Sequence, residues 1–375
     1  MVMKKINMED REALLEGLAI LGTGGGGSPA WGREIMLNDF RKGREYNIID
    51  PDEIEDNSLV VSGGIMGSVK TLERINFVKL LENWEENFGL EIALEEMEKE
   101  LGKKINYLVP FEMGGLNTPI ILSLGARKGI PVINGDALGR AAPETQMTSF
   151  IGHGISLTPM PLIDYEGNIV IVRKAINPVF PDQVGRFVIS RSEGLGSNAH
   201  YPMNGRQLKE SVIPGTISKA IEIGKTIIDA RNNSDDPVQV FRELVSGIHI
   251  FHGEVKEITE EEVEGFYFTR IRLSGLEEDN GSFCEVIIKN ETMACWKNGE
   301  LQIVFPDLLC MLEPKTGRGI MSIELQERLI LKLVATPCHK RLRDALKHRD
   351  GLAAFSSKRY GQDIKYTPLE ELHSK

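Results

Sequence analysis

Cysteine is scarce in this chain: four occur among 375 residues, Cys284, Cys295, Cys310 and Cys338, all in the last quarter. None forms a Cys-x-x-Cys pair, so neither a disulfide framework nor a zinc ribbon is indicated. With no early secretion signal, a reducing cytoplasm is the expected compartment. Basic residues are also short, 44 Lys and Arg against 55 Asp and Glu for a net charge of -11. Such a surplus repels a phosphate backbone, which argues against nucleic acid as a partner. Long apolar runs are missing too. Stretches such as Ile169 to Val172 fall far below the roughly 20 residues that cross a bilayer, so no membrane partner is expected. Two catalytic signatures are absent as well: no Gly-Lys-Ser/Thr follows the glycine loop, and no Gly-x-Ser-x-Gly elbow occurs.

What is present describes a globular chain of about two domains. Hydrophobic residues make up 41% and charged residues 26%, with 38 Gly and 17 Pro, enough apolar surface for a sizeable core and too little bias for disorder. Apolar residues at helical spacing predict a helix over 11–21, running into Gly22-Thr-Gly-Gly-Gly-Gly-Ser28-Pro29; Ser28 then caps a second helix with Pro29 at its first position. A strand is expected at 58–62, a helix over 71–101, a strand at 105–109, a helix over 116–128 stopped by Gly129, and a strand at 131–134. That alternation is a βαβ unit and requires a parallel sheet. A hairpin is expected around Asp164 to Asn168, a helix over 216–231, and short β runs from about residue 248 onward. The expected architecture is α/β: an N-terminal three-layer domain with a largely parallel sheet over 8–175, and a β-rich C-terminal domain over 176–370, with 176–235 partly crossing between them.

Three stretches carry the chemistry-bearing residues. The glycine loop formally matches Gly-x-Gly-x-x-Gly, but a helix precedes it where a dinucleotide fold needs a strand. Its remaining readings are an anion cradle of exposed amides at Gly24, Gly25, Gly26 and Gly27, or a tight turn that lets two backbones approach. The second stretch, Glu112-Met-Gly-Gly115-Leu-Asn117, lies after a predicted strand, where ligands of α/β sheets bind. Gly115, with Gly64 from the neighbouring Gly63-Gly64 turn, lets a substrate reach the backbone. In the competing reading Asn117 only caps a helix. The third stretch runs from Gly135-Asp136 through Arg140 and Glu144 to Gln146-Met147. Its carboxylates suit acid-base work or a cation, and Arg140 suits an anionic oxygen; a surface ion-pair network would use the same residues. His153, between two glycines, and His200, after Gly194-Leu-Gly-Ser-Asn198, are expected in flexible loops where a ligand role is open. His249 and His252 fall on opposite faces of an expected strand, so they read as unrelated.

Taken in order, Leu21-Gly-Thr-Gly-Gly-Gly-Gly-Ser-Pro29, Glu112-x-Gly-Gly-x-Asn117, Gly135-Asp136-x-x-Gly139-Arg140-x-x-Pro143-Glu144-x-Gln146-Met147 and Pro214-Gly-Thr-Ile-Ser218 resemble the S-methyl thiohydantoin desulfurase family. Pro306-Asp307-Leu308 and Tyr360-Gly-Gln-Asp363 are similar to its C-terminal half, so the resemblance spans nearly the whole chain. It implies hydrolysis at a substituted thiohydantoin ring carbon with loss of a thiol, and a divalent metal, zinc for preference. The chain departs from the family pattern at Asn134-Gly135-Asp136 and at Ala141-Ala142, where relatives often carry an aromatic; a smaller side chain there widens the expected pocket.

These readings lead to a metal-assisted hydrolase acting on a five-membered cyclic amide, imide or thio-analogue. Asp136 is the first choice as metal contact, with Glu144 and His153 as further ligands. Glu112 or Glu144 moves protons, and Arg140 or the glycine amides stabilise the developing anion. Gly24 to Gly27, Gly64, Gly115, Asn117, Gln146 and Met147 surround the substrate. A homo-oligomer is expected from the size. The alternatives are a nucleotide-dependent or a non-catalytic subunit of a hydantoinase or oxoprolinase system.

Overall fold

Neighbouring residues of a strand face opposite sides of its sheet, and Val60 and Val61 divide accordingly. Val61 packs with Ile48, Leu108 and Val132 against one set of helices, while Val60 packs with Ile49, Tyr107, Val109 and Ile133 on the other face. A sheet buried on both faces reads as continuous apolar runs, which is why these short strands were legible. The computed structural model describes residues 3–25, 27–67, 76–263 and 266–374.

In the first part of the chain the strands are β1 (Lys4–Ile6), β2 (Tyr46–Ile49), β3 (Leu59–Gly67), β4 (Tyr107–Pro110), β5 (Val132–Ile133), β6 (Gly135–Asp136), β7 (Met160–Asp164), β8 (Ile169–Val172), β9 (Leu195–Asn204) and β10 (Ile213–Pro214). Eight of them form one sheet in the order β1-β2-β5-β4-β3-β9-β7-β8, and β6 pairs with β10 as a separate ribbon. The parallel core expected from the βαβ reading is β2-β5-β4-β3. Antiparallel strands flank it on both sides. Helices Pro29–Arg41, Gly89–Leu101 and Asn117–Lys128 cover one face. Phe150 and Leu208, from helices Ser149–Gly152 and Gly205–Ser211, pack on the other.

Two local expectations change. The helix read over 71–101 is, in its described part, two helices, Phe77–Asn83 and Gly89–Leu101; residues 71–75 lie outside the described residues. Trp84 and Phe88 turn inward between the two helices and pack 5.0 Å apart, so tertiary packing overrides helical propensity there. The stretch read as a flexible loop around Gly194 to His200 is instead strand β9, which completes the first sheet from the later half of the chain. A side chain at Gly196 would sit 2.6 Å from Ile189 Cγ2, so this glycine permits close packing and does not confer looseness.

The second sheet is antiparallel throughout and holds β11 (Ile248–Val263), β12 (Phe266–Gly275), β13 (Phe283–Lys289), β14 (Glu291–Lys297), β15 (Glu300–Val304), β16 (Leu308–Leu312) and β17 (Ile330–Thr336), in the order β15-β14-β13-β12-β11-β17-β16. It curls until β14 meets β16. Leu308, Cys310 and Val334 enter the core on one face of the first sheet. Ile287, Met293 and Val304 enter the core on the other. The second sheet is thereby locked against the carboxyl ends of the parallel strands.

Candidate functional site

Where β3 and β4 end, the chain leaves a small cavity of about 80 Å³, lined among others by Gly64, Glu112, Asn117, Asn198, His200 and Glu291. Its placement follows the rule for open α/β sheets, with loops after parallel strands supplying the polar groups. β4 stops at Pro110, and the next helix begins at Asn117. Among the described residues no side chain caps this helix; Thr118 Oγ1 accepts from the Gly114 amide at 3.1 Å and braces the preceding turn. The Asn117 side chain is therefore available to the cavity. Its Nδ2 donates to Glu112 Oε1 at 2.7 Å, and its Oδ1 accepts from the Ile65 amide at 2.9 Å. Asn117 is thus a bridge between β3 and Glu112 and does not cap its own helix.

Glu112 is 3% exposed. Its second oxygen accepts from the Ala142 amide at 2.8 Å. Burial raises its pKa from an ordinary 4.5 to about 7, against the opposing effects of those hydrogen bonds and of the Arg140 charge. A carboxyl in this state exchanges protons near neutral pH. His200, on β9, faces the same cavity, edge-on to Phe111 at 5.7 Å between ring centres. Its Nδ1 is buried without a hydrogen bond. Burial pushes its pKa down to about 3, so the ring is neutral at pH 7. The cavity is closed from the second sheet by Asn290 and Glu291, at a tight turn where Asn290 has φ of 55°.

Glu144 also lines the cavity, but its carboxylate is already surrounded by donors. Lys289 Nζ donates to Oε1 at 2.5 Å, Arg359 Nε to Oε2 at 2.8 Å, and Gln146 Nε2 to Oε2 at 2.7 Å. Asp136 stands outside the cavity lining. Fully buried, it accepts from the amides of Leu138 at 3.0 Å and Gly139 at 2.8 Å and so fixes the turn after β6; burial raises its pKa to about 7. The Arg140 guanidinium points away as well. It donates to the carbonyls of Asp307 and Thr292, both at 2.7 Å, and lies over the Phe305 ring, so it ties this loop to the second sheet. Gln146 and Met147 are wholly buried beneath the loop, the latter in the core. His153 ends a short helix elsewhere, with Nδ1 2.8 Å from the Ser149 carbonyl.

The expected cation ligands Asp136, Glu144 and His153 therefore do not converge, and the donors of the first two are committed to amides and cations. Among the described residues, the groups of three or more side chains close enough to share an ion lie elsewhere, at His249, Glu278 and Asp279 and at His252, Glu277 and Glu278. Two of the four nominated glycine-loop amides, those of Gly24 and Gly25, are likewise already bonded. The amides of Gly22, Thr23, Gly24 and Gly25 donate to the carbonyls of Leu18, Ile20, Ile320 and Gly22, which leaves none of these amides for an anion. A side chain at Gly25 would lie 2.1 Å from Glu291 Oε1, so the loop is a close approach between the two halves of the chain. Gly115 similarly packs on the Gly27 carbonyl. Gly27, with φ of 77°, lines the cavity, whereas Gly26 lies outside the described residues. The cavity thus unites Gly27, Gly64, Glu112, Asn117 and Glu144 of the sequence-nominated residues.

A family model described as S-Me-THD-like, N-terminal domain matches residues 9–174, and one described as S-Me-THD-like, C-terminal domain matches residues 177–369. The chain belongs to the S-Me-THD-like family. The resemblance read from its motifs is thereby established over nearly its full length. No curated protein matches the S-Me-THD-like chain. Among solved structures, the crystal structure of a protein from Chromobacterium violaceum superposes with a TM-score of 0.77 at 20% identity, covering 98% of this chain and all of that one. At that identity the likeness shows a shared fold. In the S-Me-THD-like fold, the boundary between the two matched segments falls before β9, so the N-terminal sheet is completed by a strand of the second segment.

Sequence reasoning left His200 undecided and did not nominate Asn198, Asn290 or Glu291. Asn198 and His200 are two apart, hence on one face of a strand, and both line the cavity. That period-2 pair was the available signal. Nothing local marks Glu291, whose role comes from where the β13–β14 turn lands.

Proposed function

We propose that this protein hydrolyses an S-substituted thiohydantoin or a closely related five-membered cyclic amide or imide, releasing a thiol in the first case. The family supplies the substrate class. The observation that carries the chemistry is Glu112, a carboxyl buried in a cavity at a strand end with its pKa near 7. In this reading Glu112 takes a proton from water, and Asn117 holds the carboxylate in register. The water oxygen bonds to the ring carbon, the carbon–sulfur bond breaks, one water proton ends on the thiol sulfur and the other on the ring nitrogen. Neutral His200, with Nδ1 free of hydrogen bonds, offers a partner for a ring heteroatom in this small polar cavity. The residues nominated as cation ligands do not fit a metal at this cavity, so no step is routed through one.

A thiol-release assay on S-methyl thiohydantoin and on hydantoin analogues tests the proposal. Release is expected from the wild type, with Glu112→Gln slower by roughly 10²-fold or more. Absence of turnover across that substrate set would overturn the reading. The nucleotide alternative is less favoured, because the nominated amides of Gly24 and Gly25 are bonded within the protein.

A further inference from the structure

Residues three apart on a regular strand face opposite sides, yet His249 and His252 both meet the short helix Glu277–Asp279. The cause is a bulge in β11, where the register against β17 slips between His249 and Phe251. His249 Nε2 lies 2.9 Å from Asp279 Oδ2 and 3.4 Å from Glu278 Oε1. Two ligands about 2.0 Å from a tetrahedral zinc are separated by roughly 3.3 Å, so these spacings suit one ion. The His252 side chain, 8% exposed, has its Nδ1 3.2 Å from Glu277 Oε2, but that nitrogen makes no hydrogen bond. It lies within 4.8 Å of the carboxylates of Glu277 and Glu278.

We propose that His249, Glu278 and Asp279 form a binding site for one zinc-type divalent cation, with His252 meeting the shared Glu278 from the neighbouring group it makes with Glu277. The chemistry is mixed imidazole and carboxylate, the donor set zinc shares with few lighter cations. The site uses none of the residues of the cavity and pins the start of β11 to the β12–β13 connection. Asp279 also accepts from the His252 amide at 2.7 Å and from Lys297 Nζ. Lys297 is thus the resident counter-charge against which a cation competes. A cation bound here must displace the His249 Nε2–Asp279 Oδ2 contact as well as the Lys297 ion pair.

The test is titration of the chelator-stripped, full-length protein with zinc alone, by calorimetry in buffers of differing ionisation enthalpy and by metal analysis after gel filtration. One equivalent is expected. His249→Gln should bind at least about tenfold more weakly. Glu278→Gln, altered at an exposed side chain that the fold does not need, should also weaken uptake, Lys297→Gln should tighten it, and exposed His348→Gln should leave it unchanged. Failure to take up an equivalent, or equal uptake by wild type and His249→Gln, overturns the proposal. None of these readouts depends on turnover in the cavity.

Discussion

Replacing Glu112 by glutamine separates the cost of its buried charge from its use. The wild-type carboxyl titrates at about 7 in the folded chain against an ordinary 4.5. Below pH 4.5 both folded and unfolded states hold the proton, and the group does not affect stability. Between 4.5 and 7 the unfolded state releases it first, so folding is opposed increasingly as pH rises. Above 7 the full cost is present, about 3 kcal/mol for this displacement. Glutamine removes the charge but has a single acceptor oxygen between two donors, the Ala142 amide and Asn117 Nδ2, so it gives up one hydrogen bond at every pH, a cost of about 1 to 2 kcal/mol. Between pH 5 and pH 8 the stability difference in urea unfolding should therefore shift toward the variant by about 2 to 3 kcal/mol. Asp136 adds in the same direction, since the Glu112 charge helps to raise its pKa. The same substitution should abolish most thiol release, and the wild-type rate should rise as pH passes about 7. A variant that is less active yet gains stability relative to wild type as pH rises is the signature of a functional buried acid. A stability difference that stays constant from pH 5 to pH 8 would refute the argument, because Glu112 would then titrate at its ordinary value.

Glu144→Gln should destabilise the protein by about 3 to 5 kcal/mol in chemical denaturation, because it strands the buried Lys289 ammonium beside Arg359; adding Lys289→Met should recover part of the loss. Asp136→Ala leaves two buried amides without an acceptor. It should cost about 2 kcal/mol or more at pH 5, less at pH 8 where the wild type carries a buried charge, and zinc uptake should not change. Of the four thiols, Cys284, Cys295 and Cys310 are fully buried and Cys338 is partly so, and burial pushes the Cys338 thiol up to about 12. Native protein should consequently react with less than one equivalent of a chromogenic disulfide over minutes and with four after unfolding, which leaves the thiol-release assay free of protein background.

The parts of the fold that could be read in the sequence are those whose signals are local. Ser28 accepts from the Ala30 amide with Pro29 at the first helical position, Gly129 ends its helix with φ of 67°, and the short apolar runs at 58–62 and 105–109 mark strands buried on both faces. Glu112 and Asn117 could be located because a strand, a glycine pair and a helix start follow one another in the chain, and that order alone puts a loop at a carboxyl edge. Asp136 and Arg140 have the same sequence context but different structural roles. What separates them is whether the second sheet brings carbonyls to the loop, as Thr292 and Asp307 do for Arg140, a contact across more than 150 residues that no local pattern encodes. The histidines are the clearest case. Periodicity set His249 and His252 on opposite faces, and a single extra residue in the ladder reversed the parity of everything after it. Such a bulge leaves little trace in composition, yet it determines whether both imidazoles reach the Glu277–Asp279 helix. A sequence-level search for ligands in β-rich chains should therefore weigh histidines three apart as seriously as those two apart wherever a strand runs long enough to accommodate a bulge, as the sixteen residues of β11 do.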